Sequence, residues 1–268
     1  MPESVKPLVT VVIPCHNHVQ WINDAIDSIK YQDYPHDKLR IVLVDDGSKD
    51  GSSDSVVKRL YRPRTGKAKG MVEEPDIVIG KLVNTDIELL LLRFTRGHGP
   101  SFSRNRGIEA HWHTSDFFAF LDSDDTYAPT KISRSIQEFL KVPEIVGVVY
   151  SDYDTVNSGG LRLRQWKEPF NRERLVRECI VNCDSVISKL AFAHCGTFDE
   201  SMRVVEDYDL WLRISERFVL THIAESLVTI RVGEHSSSST VSKEVWNKCY
   251  AKAFEKAKRR ISDSQVRS

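Results

Sequence analysis

The sequence lacks an excess of either charge, a long apolar run and a paired cysteine spacing, and each absence removes a class of protein. Its 38 lysines and arginines balance 38 aspartates and glutamates, so no overall field recommends a nucleic-acid partner. Apolar runs such as residues 89–92 and 117–121 fall far short of the ~20 residues that span a bilayer. The first residues carry no signal-peptide pattern. The five cysteines, Cys15, Cys179, Cys183, Cys195 and Cys249, are odd in number and form no C-x-x-C pair. That favours reduced thiols and a cytoplasmic setting over a disulfide framework or a zinc site. A glycine-rich phosphate loop is also missing. Pro14-Cys15-His16-Asn17 stands where a nicotinamide dehydrogenase needs Gly-x-Gly-x-x-Gly, and it offers no phosphate loop for a sugar-phosphate nucleotidyltransferase.

What is present is acid in two places. Asp45-Asp46-Gly47-Ser48 and Asp122-Ser123-Asp124-Asp125 each follow a short apolar run that reads as a buried strand. Ligands of open α/β sheets bind at the carboxyl ends of strands. Carboxylates gathered there repel one another unless a cation or a hydrogen-bonding ligand joins them. A metal and a phosphorylated ligand are therefore expected.

With 268 residues, 40% of them hydrophobic, the chain is long enough for a sizeable core. Residues 8–13, 40–44, 89–94 and 117–121 read as strands. Residues 21–31, 52–60, 101–113 and 129–140 read as helices between and after them. The order predicts an α/β fold, a Rossmann-like and mostly parallel sheet flanked by helices. Residues 62–74, rich in Arg, Lys, Gly and Pro, read as a surface loop or insertion. The second half is more mixed: strands at 146–151, 162–166, 185–187 and 228–232, helices at 172–179, 189–195 and 206–217. A polar loop at 234–240 precedes a basic helix at 245–261.

Five strings occur in an order that resembles family 2 glycosyltransferases of the GT-A fold. They are Val-Val-Ile-Pro-Cys-His-Asn at 11–17, Asp-Asp-Gly-Ser at 45–48, Ser-Arg-Asn-Arg-Gly at 103–107, Asp-Ser-Asp-Asp at 122–125 and Glu-Asp-Tyr-Asp-Leu-Trp-Leu-Arg at 206–213. The resemblance implies a GT-A domain over residues 1–240, with a nucleotide-binding half at 1–127 and a smaller acceptor-side half at 128–240. Residues 241–268 would be a basic C-terminal helix and tail. It also implies an inverting, metal-dependent transfer of a sugar from a nucleotide-diphosphate donor, a UDP-sugar foremost. The acceptor would be a hydroxyl of a glycan, a lipid-linked sugar or a cell-envelope precursor.

The same resemblance assigns roles residue by residue. Asp122 and Asp124 match the metal-binding DXD motif around Ser123, with Asp124 the first choice for direct ligation. Mn²⁺ or Mg²⁺ suits such hard oxygen ligands. Asp46 matches the acid that meets the uracil edge, and Pro14, Cys15 and His16 form the loop beside the base. Arg96 and Arg104 fall where relatives place basic residues near the donor, and guanidinium suits diphosphate. Asp207 matches the general base, with Glu206 shaping the acceptor side. Arg231 and His235 resemble a tail motif found at the diphosphate or the metal, with His235 a candidate ligand. Asp209 and Trp211 read as structural and core residues.

Two alternatives stay open at this level. The aromatic stripe of the C-terminal helix could pack on the catalytic domain, or the helix could rest peripherally on the inner face of an anionic membrane near a lipid-linked acceptor. The chain could also be a non-catalytic nucleotide-sugar or glycan-binding module, which would have no need of Asp122, Asp124 and Asp207 together.

Overall fold

The computed structural model of the chain describes residues 6–233 and 241–266. β1 (Val9–Cys15) is followed by α1 (Ile22–Lys30), β2 (Leu39–Asp46) and α2 (Ser52–Val57). A hairpin of β3 (Leu60–Lys67) and β4 (Asp76–Leu82) leads to β5 (Glu88–Phe94), α3 (Pro100–Ala110) and β6 (Phe117–Phe120). Then come β7 (Thr126–Tyr127), α4 (Lys131–Lys141), β8 (Val146–Val156), β9 (Arg162–Gln165) and α5 (Arg172–Leu175). The order ends with β10 (Val186–Ser188), α6 (Lys189–Cys195), α7 (Glu206–Ile214), β11 (Val219–Arg231) and α8 (Lys243–Val266).

The eleven strands form one sheet. Its centre is parallel, in the order β5-β2-β1-β6. β10 enters antiparallel between β6 and β8, and β11 lies parallel to β8. The margins are antiparallel: β3 and β4 beyond β5, β7 beyond β11, and β9 beside β8. The parallel centre is the one that the strand and helix order predicts, and the antiparallel borders are added to it. The central strands read as unbroken apolar runs because both faces are covered. On one face Val11 and Ile13 meet Ile22, Ile26 and Ile29 of α1 and Ile132, Ile136 and Phe139 of α4. On the other, Val12, Phe118 and Phe120 meet Leu210, Trp211 and Ile214 of α7.

α3 lies so close to β1 that a Cβ on Gly107 would fall 2.3 Å from Val12 Cγ1. Gly107→Ala is therefore expected to push the helix off the sheet and lower stability by about 1–3 kcal/mol, the usual cost of overpacking. A fall in the urea midpoint at unchanged slope reads this directly.

Two sequence expectations need correction. Residues 62–74 are not simply a loop, because β3 runs through the stretch as far as Lys67 and pairs with β4. β3 is exposed at every position after Leu60, so it has no buried face to generate an alternating pattern. It also carries Pro63 beside a register shift between Tyr61 and Arg64, both tolerated at a sheet edge. The last strand starts at Val219 rather than near residue 228, since β11 follows β8 along most of its length through three register shifts. Bulges break the period that marks a strand in sequence.

α8 packs on α7 through Ala253 and Ala257. Lys252, Lys256 and Arg260 pair with the rest of the fold. Lys256 meets Asp199 at 2.8 Å and Asp209 at 2.7 Å, and Arg260 meets Glu216 at 2.7 Å. Asp209 is buried and also pairs with Arg213 at 3.0 Å, and Trp211 lies in the core. No helix among the described residues is long and apolar enough to cross a membrane. All five cysteines are free thiols.

Candidate active site

Because β1, β2 and β6 are parallel, the loops that follow them gather at one edge of the sheet. Pro14 and Cys15 close β1, and Cys15 is buried. Burial and the Asp45 carboxylate push its thiol up to about 12, against the hydroxyls of Ser123 and Ser52. The two acids that end β2 then diverge. Asp45 turns inward, accepting from the Ser48 amide at 2.8 Å and from the Ser53 hydroxyl. Asp46 accepts from the amides of His98 at 2.9 Å and Gly99 at 2.7 Å, and so fastens the loop after β5. That loop approaches β2 at Gly47. The glycine has φ +79°, and a Cβ there would lie 2.7 Å from the Arg96 carbonyl carbon, so only glycine fits on both counts.

The histidines complete this end. His16 bonds the Asp46 carbonyl through Nδ1 at 2.8 Å. His98 stacks on Phe102 at 4.1 Å between centroids and reaches Glu73 through Nε2 at 3.0 Å. Arg96 is exposed and paired with Glu73, on the turn between β3 and β4. Its guanidinium thus meets the edge hairpin.

The Asp-Ser-Asp-Asp loop follows β6 and fans its side chains apart. Ser123 bonds His18 Nδ1 at 2.7 Å, tying this loop to the one after β1. Asp122 Oδ1 accepts from Arg104 Nη2 at 2.8 Å. Asp125 Oδ1 accepts from the Arg231 amide at 2.8 Å. The Arg231 side chain donates to the Asp124 carbonyl and to Asp24 at 2.8 Å, so it clamps the loop rather than standing free.

Carboxylates of Asp122, Asp125 and Asp184 converge, each offering an oxygen within 4.8 Å of the others. Burial raises the pKa of Asp125 well above the usual range, with Asp184 next in effect, and pushes Asp184 up to about 7, with Asp122 next. Asp124 is raised by burial and by Asp122. It lies 3.9 Å from His18 and is outside the convergent group in this arrangement. The three converging oxygens suit a hard divalent cation, which would relieve the repulsion among them. Asp184 is the ligand candidate that sequence reasoning misses. It precedes β10, and because that strand runs antiparallel, its beginning falls at the edge where the other strands end.

Arg104 joins this group to α7. It is almost fully buried, donates from Nη1 to Glu206 at 2.6 Å and from Nη2 to Asp122, and lies over Phe198. The guanidinium is committed to two carboxylates and sits beneath the site. Val205, before Glu206, has φ 59°, a left-handed conformation rare for a β-branched residue. Strained backbone of this kind is characteristic of functional sites. It starts α7 with both acids at its first turn. Glu206 is held by Arg104, whereas among the described residues Asp207 accepts only the adjacent Tyr208 amide, at 2.7 Å. Burial and the Glu206 carboxylate push Asp207 up to about 7. A half-buried carboxylate titrating near neutrality is suited to proton abstraction. Beside it, the Tyr208 ring lies 5.6 Å from Tyr250 of α8, which lies 6.0 Å from Trp246. His235 lies outside the described residues.

Comparison with known proteins agrees with this geometry. The family model described as glycosyl transferase family 2 matches residues 10–69. The model described as glycosyltransferase like family 2 matches residues 83–239, more than half of the chain. An uncharacterized glycosyltransferase of Rickettsia felis is 28% identical over 247 residues, covering 88% of this chain and 36% of that protein. A chondroitin synthase of Pasteurella multocida is 26% identical, covering 81% of this chain and 20% of its own. The chain thus spans about a third or less of the length of these two relatives. Among solved structures, S. aureus TarS 1–349 in complex with UDP superposes with a TM-score of 0.68 at 16% identity, covering 93% of this chain and 65% of that one. The mannosyltransferase PcManGT of Pyrobaculum calidifontis, in complex with GDP-Man and Mn²⁺, gives 0.61 at 16% identity, covering 99% and 77%. With its sheet order, its acidic strand ends and both family matches in agreement, this chain belongs to glycosyltransferase family 2 and has the GT-A fold.

Proposed function

We propose that the chain is an inverting glycosyltransferase that needs a divalent cation and moves a sugar from a nucleoside-diphosphate donor, a UDP-sugar foremost, to an acceptor hydroxyl. The observation that carries this reading is the Arg104 bridge, which couples Asp122 of the convergent carboxylates to Glu206, next to Asp207. Donor and acceptor machinery are thereby held in one rigid unit. Asp122, Asp125 and Asp184 would hold Mn²⁺ or Mg²⁺, and Asp124 is close enough in sequence to join them when the loop receives a donor. The bound ion would neutralise the charge that builds on the leaving diphosphate.

The remaining steps belong to side chains. Pro14, Cys15, His16 and Asp46 border the space beside β1 and β2 where the base would lie, with the Gly97–Gly99 loop as its wall. Asp207 takes the proton of the acceptor hydroxyl as that oxygen attacks the face opposite the leaving group. Glu206, fixed by Arg104, keeps Asp207 oriented and keeps its proton affinity high. Tyr250 and Trp246 extend from Tyr208 toward the surface and offer ring faces to an acceptor glycan, whether free, lipid-linked or part of a cell-envelope precursor. The internal pairing of the α8 lysines favours packing on the catalytic domain over a membrane contact, and the free thiols fit a cytoplasmic setting.

Release of nucleoside diphosphate from UDP-GlcNAc, UDP-glucose and GDP-mannose, with Mn²⁺ and with a chelator, tests the reading. Solved relatives with the same fold hold UDP-GlcNAc and GDP-Man, which sets the panel. Cation-dependent release from one donor is expected; a folded protein that turns over none of them under either condition would favour a binding module. The pH dependence is a second expectation. Asp207 acts only when ionised, so the rate should rise through about pH 7 and level off above it. In Asp207→Asn that limb should be absent from the residual rate.

A further inference from the structure

Lys131 opens α4 and is completely buried, the only lysine or arginine among the largest fully buried side chains of the described residues. Its ammonium donates to Ser151 Oγ at 3.2 Å and lies 5.8 Å from the centroid of the Tyr127 ring. No carboxylate among the described residues stands within ion-pair distance of it. A buried ammonium with one hydroxyl partner is costly unless a negative field lies close by. The fold supplies that field. β10 pairs antiparallel with β8 through Val186↔Val149, so the residues just before β10, Asp184 among them, lie at the end of the pairing toward which β8 runs on to Ser151. Asp184 is also the carboxylate whose charge acts on Lys131. It is one of the three that converge with Asp122 and Asp125.

We infer that Lys131 is a resident counter-charge for the acidic cluster, a positioning residue that lets three carboxylates fold together and sets how tightly a divalent cation binds them. The inference rests on the cation reading proposed above. Lys131 adds one positive charge beside a cluster whose Asp122 already meets Arg104. Lys131 therefore opposes the entry of a cation while stabilising the empty cluster. Removing its charge favours any cation at the cluster, and a divalent ion more than a proton because it carries twice the charge.

The test is calorimetric titration of Mn²⁺ into the whole chain at pH 7, for wild type, Lys131→Met and Ser151→Ala. Lys131→Met is expected to bind Mn²⁺ about tenfold tighter or more and to gain more in Tm on Mn²⁺ addition than wild type does. Ser151→Ala, which keeps the charge, should stay within about twofold of wild type. Lys131→Gln, which keeps a donor for Ser151, serves as a second neutral variant if the Met variant does not fold by circular dichroism. Unchanged or weaker Mn²⁺ affinity in a folded neutral variant overturns the assignment of Lys131. Absence of Mn²⁺ binding by wild type overturns the cation reading as well.

Discussion

Asp207→Asn lowers the rate of sugar transfer by about 10²–10⁴-fold, the usual contribution of a positioned general base, while UDP binding stays within about twofold. The split follows from location. Asp207 lies on α7, and among the described residues its hydrogen bond goes to the Tyr208 amide rather than to the loops after β1 and β2, so its loss should leave the donor side intact. Asparagine keeps the shape and still accepts the Tyr208 amide, yet cannot take a proton. The stability of this variant should move the other way. The folded pKa of Asp207, about 7, lies above its ordinary 3.8. Its contribution to stability is therefore fully present below about pH 4 and is lost as pH rises through about 7. Asp207→Asn, with no charge to bury beside Glu206, should have an equal or higher Tm than wild type at pH 8. Equal loss of transfer and of UDP binding would remove Asp207 from the role of base.

Arg104→Met destabilises the fold by about 3–5 kcal/mol, the range for breaking a buried ion pair by removing one partner. The guanidinium is the shared donor to Glu206 and Asp122, so its loss leaves Glu206 buried without its cation. Arg104→Lys should recover only part of the loss, because an ammonium is a point charge and cannot reproduce the fork that spans the two acids. Urea denaturation of the three proteins measures both values. A change below about 1 kcal/mol for Arg104→Met would mean that the bridge contributes little and that Glu206 finds another partner.

These two residues show what a sequence can carry. The motif around Arg104 marks it as a site residue, and the expectation of a diphosphate contact comes from the resemblance and from the chemistry of guanidinium, not from packing. Only the packing of α3 on β1, enforced at Gly107, turns the side chain beneath the site toward Glu206 and Asp122. The acids after β2 and β6 are legible because they follow apolar runs in parallel strands. Asp184 is not, since it precedes a three-residue strand and no local pattern announces that the strand is antiparallel. Lys131 is equally silent, because a lysine in the first turn of an amphipathic helix reads as solvated until the burial of its neighbours is known. The edge strand β3 hides for the opposite reason, having no buried face at all. Asp46 is legible as a strand-end acid, but its engagement with the Gly97–Gly99 loop depends on a turn 52 residues away.

The measurement that bears most directly on a cation-dependent donor site is titration of UDP by calorimetry, with Mn²⁺ and then with a chelator, in wild type and in Asp122→Ala. The account predicts UDP binding that requires Mn²⁺ and is lost in the variant. Binding indifferent to both the metal and Asp122, or no binding of UDP by a folded wild type in the presence of Mn²⁺, would contradict it.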